Sequence, residues 1–238
     1  MKRILFLTTL SAICALQVSA EINLAALSYP LDPYDINLQA AINQSAQQIA
    51  DALAFIDRAE HPCNWEAEYP IVASIITQFN LKIGVEIGVA FGGQSEYLLA
   101  NTPIERLFSI DPYRHFQTGY ADAMNFRQSI FDVLHIKTLK RLEPYGDRSV
   151  FIRELSQSAS TRFFEKSLDF VYIDGNHLYT AVKQDIESWY PKIRSIGFMI
   201  GDDYTQYFPG LCQAVNEFCA REGLKLYTHG GKWWVVKP

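Results

Sequence analysis

The chain has 238 residues, 49% hydrophobic and 20% charged, enough to bury the core of one α/β domain with a helical extension. Its formal net charge of -5 argues against the basic face of a non-specific nucleic-acid binder, so nucleic acid is not an expected partner. Beyond the N-terminus, no run reaches the roughly 20 apolar residues that cross a bilayer.

The first 20 residues read as an export signal. Met1-Lys2-Arg3 is basic, Ile4 to Leu16 is apolar apart from small hydroxyl residues, and Val18-Ser19-Ala20 offers the small residues a signal peptidase reads. A buried N-terminal helix is the alternative. Use of the signal implies a periplasmic or secreted protein; otherwise the chain is cytoplasmic. Cleavage leaves Cys63, Cys212 and Cys219, an odd set that gives no disulfide framework. Cys212 and Cys219 fall about two turns apart on a predicted helix, too far to bridge; whether Cys63 pairs with either stays open.

Residues 21–80 read as a helical extension. After a turn at Leu31-Asp32-Pro33-Tyr34-Asp35, Leu38, Ile42, Ile49, Leu53 and Ile56 share one helical face running to about Ala59. His61-Pro62-Cys63-Asn64 breaks it, and a second helix is predicted from Tyr69 to Phe79. Strands are then predicted near 82–87, 106–110, 149–154, 169–173 and 195–200. Helical patterns separate them, the longest from Tyr120 to Leu142. This alternation predicts a parallel sheet. The end departs from it: Leu224–Thr228 and Lys232–Val236 flank His229-Gly230-Gly231, a hairpin signal that requires an antiparallel strand.

Three segments carry chemistry. In the first, V-E-I-G-V-A-F-G-G passes from a strand through a glycine turn into a helix, and the next strand ends in I-D-P-Y. Glycines at Gly88 and Gly92 let backbone approach a ligand, and Asp111 at a strand tip can accept hydrogen bonds from two ribose hydroxyls. The arrangement suits a nucleoside. In the second, Y-I-D-G-N-H places Asp174 past a strand end and His177 at the start of a helix, where an imidazole can act as general base or merely support a neighbour. In the third, G-D-D-Y places Asp202 and Asp203 past the next strand end. Three carboxylates at neighbouring tips repel one another and call for a hard cation such as Mg2+. Taken singly, each acid could instead cap a helix.

Together these residues resemble the class I S-adenosylmethionine-dependent methyltransferases, over roughly Leu81 to Pro238. Within them the chain is similar to the metal-assisted O-methyltransferases that act on macrolide and aminocoumarin sugars and to their cephalosporin-tailoring relatives. The resemblance implies an α/β, Rossmann-like seven-stranded sheet with a terminal antiparallel hairpin behind an N-terminal helical cap. It implies that Glu86, Gly88 and Gly92 shape the methionine end of the cofactor pocket and that Asp111 holds the ribose. Leu155, Ser156 and Gln157 would frame the adenine. Asp174, Asp202 and Asp203 would hold Mg2+, with His177 in the base position beside Asp174. Ala90 departs from the glycine common at its position. The implied acceptor is a hydroxyl of a small molecule or glycan, and a homodimer is compatible with relatives that pair through N-terminal helices. Two other readings compete: an exported non-catalytic binding module on the same fold, and an NAD-dependent oxidoreductase.

Overall fold

A computed structural model describes residues 46–60, 67–116 and 124–238. The export signal, the residues Leu38 and Ile42, and Cys63 lie outside the described residues. The chain divides into two compact units, one of Met1–Cys63 with Tyr113–Lys137 and one of Asn64–Pro112 with Thr138–Pro238.

In the first unit, helix α1 (Ala46–Glu60) buries Ile49, Ala52 and Ile56, three positions on one helical face. Its last turn is tied to Lys137, whose ammonium lies 2.9 Å from Asp57 and 2.8 Å from Glu60. Phe55 meets Phe126 edge to face with ring centroids 5.2 Å apart. Of the long helix predicted from Tyr120 to Leu142, residues 120–123 lie outside the described residues, 124–127 are not helical, and the rest forms α4 (Gln128–Leu142). Local polar capture explains the difference. The Asn125 side-chain amide exchanges hydrogen bonds with both backbone groups of Phe116, at 3.0 and 2.8 Å. Gln128 does the same for the chain at Tyr113 and His115. Side chains that satisfy non-helical backbone in this way hold residues 124–127 out of the helix.

The second unit carries the sheet. Its strands are β1 (Ile83–Ile87), β2 (Arg106–Ile110), β3 (Ser149–Ile152), β4 (Leu168–Ile173), β5 (Ile193–Gly201), β6 (Tyr227–His229) and β7 (Lys232–Val236). The order across the sheet is β3-β2-β1-β4-β5-β7-β6. The first five pair in parallel, and β7 pairs antiparallel with both β5 and β6. The expected seven-stranded sheet with its terminal hairpin is therefore present. The hairpin turn is tighter than the sequence suggested. Thr228 pairs with Trp233 and His229 with Lys232, leaving only Gly230 and Gly231, both at positive φ, in the turn.

Alternation sorts the apolar residues of the strands to two faces. Val171, Ile173, Met199 and Trp233 pack with α6 (Tyr179–Trp189) and α7 (Pro209–Glu222) through Ile186, Trp189, Val215 and Phe218. Phe170, Tyr172, Phe198 and Ile200 pack on the other face with α2 (Tyr69–Gln78) and α3 (Gly93–Asn101) through Val72, Ile76, Leu98 and Leu99. Burial on both sides is what parallel strands require. Cys212 and Cys219 lie on α7 as free thiols.

Candidate active site

The carboxyl ends of five adjacent strands are keyed together by four backbone hydrogen bonds one step beyond the last paired residues. Asp111 N–H donates to Ile152 O at 3.2 Å and Gly88 N–H to Ile110 O at 2.9 Å. Asp174 N–H donates to Ile87 O at 2.8 Å and Asp202 N–H to Ile173 O at 3.0 Å. Asp111, Asp174 and Asp202 thus each enter the site from a backbone already fixed by a neighbouring strand. Gly88 is held closest. A Cβ there would stand 2.0 Å from the Asp174 carbonyl oxygen, and its φ of +85° favours glycine in any case.

The loop after β1 is organised by Asp111. Its Oδ2 accepts from Val89 N–H at 2.9 Å and Ala90 N–H at 3.1 Å. Ala90 sits at φ 47°, so the departure from glycine is accommodated in left-handed backbone, with Thr138 Oγ1 donating to its carbonyl at 3.1 Å. Beneath the loop, Glu86 is 1% exposed and accepts a short hydrogen bond from Ser95, whose hydroxyl also lies 2.8 Å from that of Ser109. Burial pushes the Glu86 carboxyl up to about 8; the Ser95 bond opposes this, and Asp174 and Asp111 add to it. Gly92 caps α3 at φ 79°, and in the first turn of that helix the buried Gln94 amide nitrogen has no hydrogen-bond partner. An orphaned donor beside a helix N-terminus and a glycine loop fits the polar end of an amino-acid-bearing nucleoside.

Beyond β3, Leu155 is 40% exposed and opens the short helix α5 (Ser156–Ser160). The side chains of Ser156 and Gln157 point to α6 instead: Trp189 Nε1 donates to Ser156 Oγ at 2.8 Å, and Gln157 Nε2 donates to Asp185 Oδ1 at 2.9 Å. Asp185 is buried, and desolvation raises its carboxyl to about 6 against a hydrogen bond from Ser156.

The acids after β4 and β5 separate into two groups. Asp174, His177 and Asp203 offer three ligand atoms within 4.8 Å of one another, a donor set that fits one hard or borderline divalent cation. His177 Nε2 lies 3.0 Å from Asp203 Oδ2 and 3.8 Å from Asp174 Oδ1, and its ring packs on Phe208 with centroids 4.5 Å apart. Burial, together with Asp202 and Asp203, raises the Asp174 carboxyl, while its bond to His177 lowers it. Asn176 shapes the turn, its Oδ1 accepting from Leu178 N–H at 2.9 Å. Asp202 is held differently. Its Oδ2 accepts from Tyr172 OH at 2.9 Å and pairs with Lys232, and its Oδ1 accepts from Asp203 N–H at 2.7 Å. Lys232 is 2% exposed and also lies 2.7 Å from Glu68. Burial works against its ammonium, but Asp202 and Glu68 outweigh this and raise its pKa. Sequence reasoning missed Lys232, Tyr172 and Phe208; only a hairpin register could have flagged the lysine.

The family description "Methyltransferase domain" matches residues 83–204, just over half of the chain. A curated relative is an uncharacterized protein of Acanthamoeba polyphaga mimivirus, 27% identical over 139 residues, which are 57% of this chain and 58% of that protein. This chain thus spans less than two thirds of that relative. Among solved structures, the O-methyltransferase NovP is similar with a TM-score of 0.56 at 19% identity, over 72% of this chain and 78% of that one. The O-methyltransferase from Bacillus cereus in complex with SAH gives 0.57 at 12% identity over 84% and 95%. Calicheamicin methyltransferase CalS11 gives 0.54 at 13% over 84% and 96%. At these identities the solved structures speak to the fold.

Proposed function

Because the chain belongs to the methyltransferase-domain family, we propose that it moves a methyl group from S-adenosylmethionine to a hydroxyl oxygen of a small molecule or glycan. The observation that carries this reading is the meeting, on adjacent strand tips, of the Asp111-bound glycine loop with the Asp174–His177–Asp203 cluster. Strand β7 inserted beside β5 also distinguishes this sheet from the six-stranded dinucleotide fold expected of an oxidoreductase.

In the transfer, the acceptor oxygen forms a bond to the methyl carbon as the carbon–sulfur bond breaks, and the sulfur leaves as the neutral thioether of S-adenosylhomocysteine. The hydroxyl proton goes to the His177 imidazole, whose ring Asp203 orients and whose imidazolium it stabilises from 3.0 Å at Nε2. Asp111 keeps the loop backbone in place and would accept hydrogen bonds from the ribose hydroxyls. Glu86 lies under the methionine end, where a carboxyl that ionises complements a cationic ligand. A divalent ion such as Mg2+ would be held by Asp174 and Asp203 and would lower the pKa of a nearby hydroxyl. Residues 1–20 support the companion proposal that the protein is exported.

Calorimetric titration of the full chain with S-adenosylhomocysteine tests the reading. Micromolar binding that is lost in Asp111→Ala is the expected result. No heat of binding from protein shown to be folded would defeat the catalytic reading in favour of a cofactor-free binding module.

A further inference from the structure

The last strand brings a cation of its own to the acid cluster. β7 runs antiparallel to β5 with Gly201 opposite Trp233, so the residue before Trp233 lies beside the residue after Gly201. Those residues are Lys232 and Asp202. A parallel strand in the same place would have brought its last residue to this edge instead of its first. The Trp233 ring lies over Gly201, where a Cβ would stand 2.3 Å from Nε1, and this packing fixes the register.

Both oxygens of Asp202 are engaged. Lys232 and Tyr172 take one, and the Asp203 backbone takes the other. Asp174 and Asp203 turn to His177. The charges then pair off in two sets. The Lys232 ammonium balances Asp202, while two carboxylates remain to balance one divalent ion. Glu68, the second partner of Lys232, is about half exposed at 48% and is solvated.

We propose that Lys232 takes Asp202 out of the divalent-cation ligand set, leaving Asp174 and Asp203 as the carboxylates that hold the ion, and so sets the affinity of the site for it. The proposal rests on the function proposed above only in placing a divalent cation at these strand tips. Lys232 is a positioning residue; it acts through Asp202 and also touches Glu68. Its removal frees an additional carboxylate for the ion and removes a positive charge beside it. Both changes tighten metal binding.

The test is Mn2+ binding to the full chain, read from the paramagnetic resonance of the free ion, with S-adenosylhomocysteine calorimetry on the same samples. The decisive variant is the charge-balanced Lys232→Met with Asp202→Asn, which leaves no unpaired buried charge to unfold the protein. It is expected to hold Mn2+ within about threefold of the parent, whereas Asp203→Asn loses about tenfold or more. Lys232→Met alone is expected to tighten binding about tenfold. A double variant that falls as far as Asp203→Asn overturns the proposal, because Asp202 is then a ligand despite Lys232. Mn2+ that fails to bind a parent protein still binding S-adenosylhomocysteine overturns it too, and leaves the methyltransferase reading standing. Loss of S-adenosylhomocysteine binding by the parent would instead strike that reading.

Discussion

Asp185→Asn should make this protein more stable at neutral pH and less stable in mild acid. Asp185 is 3% exposed, and its carboxyl titrates at about 6 in the folded chain against 3.8 when unfolded. The folded state therefore holds the proton more tightly. The favourable contribution is fully present below the unfolded value and is lost as pH rises through the folded one. At ~1.4 kcal/mol per pH unit, the gap places the neutral-pH cost of the buried charge at about 3 kcal/mol. Asparagine removes that charge and keeps an acceptor for Gln157, but it leaves the Ser156 hydroxyl without its carboxylate, a loss of about 1 kcal/mol. The variant should then gain about 2 kcal/mol at pH 7 and lose about 0.5 kcal/mol near pH 4. Urea unfolding of both proteins at unit intervals from pH 4 to 8 reads this directly. Titration of every other group cancels in the difference, which should change by about 2.5 kcal/mol, mostly between pH 4 and 6. Two stability curves that run parallel across this range would show that Asp185 is not held as described.

Three further outcomes are expected. Binding of S-adenosylmethionine at pH 7 should release about 0.9 proton per site, since a cationic ligand draws the proton from a Glu86 carboxyl that titrates at about 8. Calorimetry in two buffers of different ionisation enthalpy measures it, and Glu86→Gln should abolish it. Gly88→Ala forces a Cβ onto the Asp174 carbonyl and should cost about 3 kcal/mol or more, with S-adenosylhomocysteine binding lost; unchanged stability and binding would contradict the close approach. Ile196 is an exposed β-branched residue at φ 62° within β5, so Ile196→Gly should raise stability by about 1 kcal/mol. A fall in melting temperature would count against strain there.

The parallel strands were legible because burial on both faces leaves near-continuous apolar runs, and each run ended in an acid or glycine that marks its tip. The terminal hairpin was legible from its glycines. What the sequence left hidden depends on contacts between distant segments. Asp202 and Asp203 are adjacent in the chain and identical in type, yet one faces Lys232 and the other His177. Nothing local separates them; Asp203 turns away because its backbone is left-handed, at φ 57°. Ser156 and Gln157 likewise follow a strand where a ligand frame is expected, and only the packing of α6 draws their side chains elsewhere. The late start of α4 was hidden for the same reason, since Asn125 and Gln128 are ordinary helix-tolerant residues until Phe116 and Tyr113 come within reach.

The keyed strand tips act as a ruler. Adjacent strands stand ~4.8 Å apart, so the order β2-β1-β4-β5 places the glycine turn, Asp174 and Asp202 about 5, 10 and 15 Å from Asp111. The span from Asp111 to Asp202 is therefore set by the spacing of backbone hydrogen bonds and not by side chains. Side-chain changes at these marks can retune acidity, but the distances between them stay fixed unless a strand is inserted or lost.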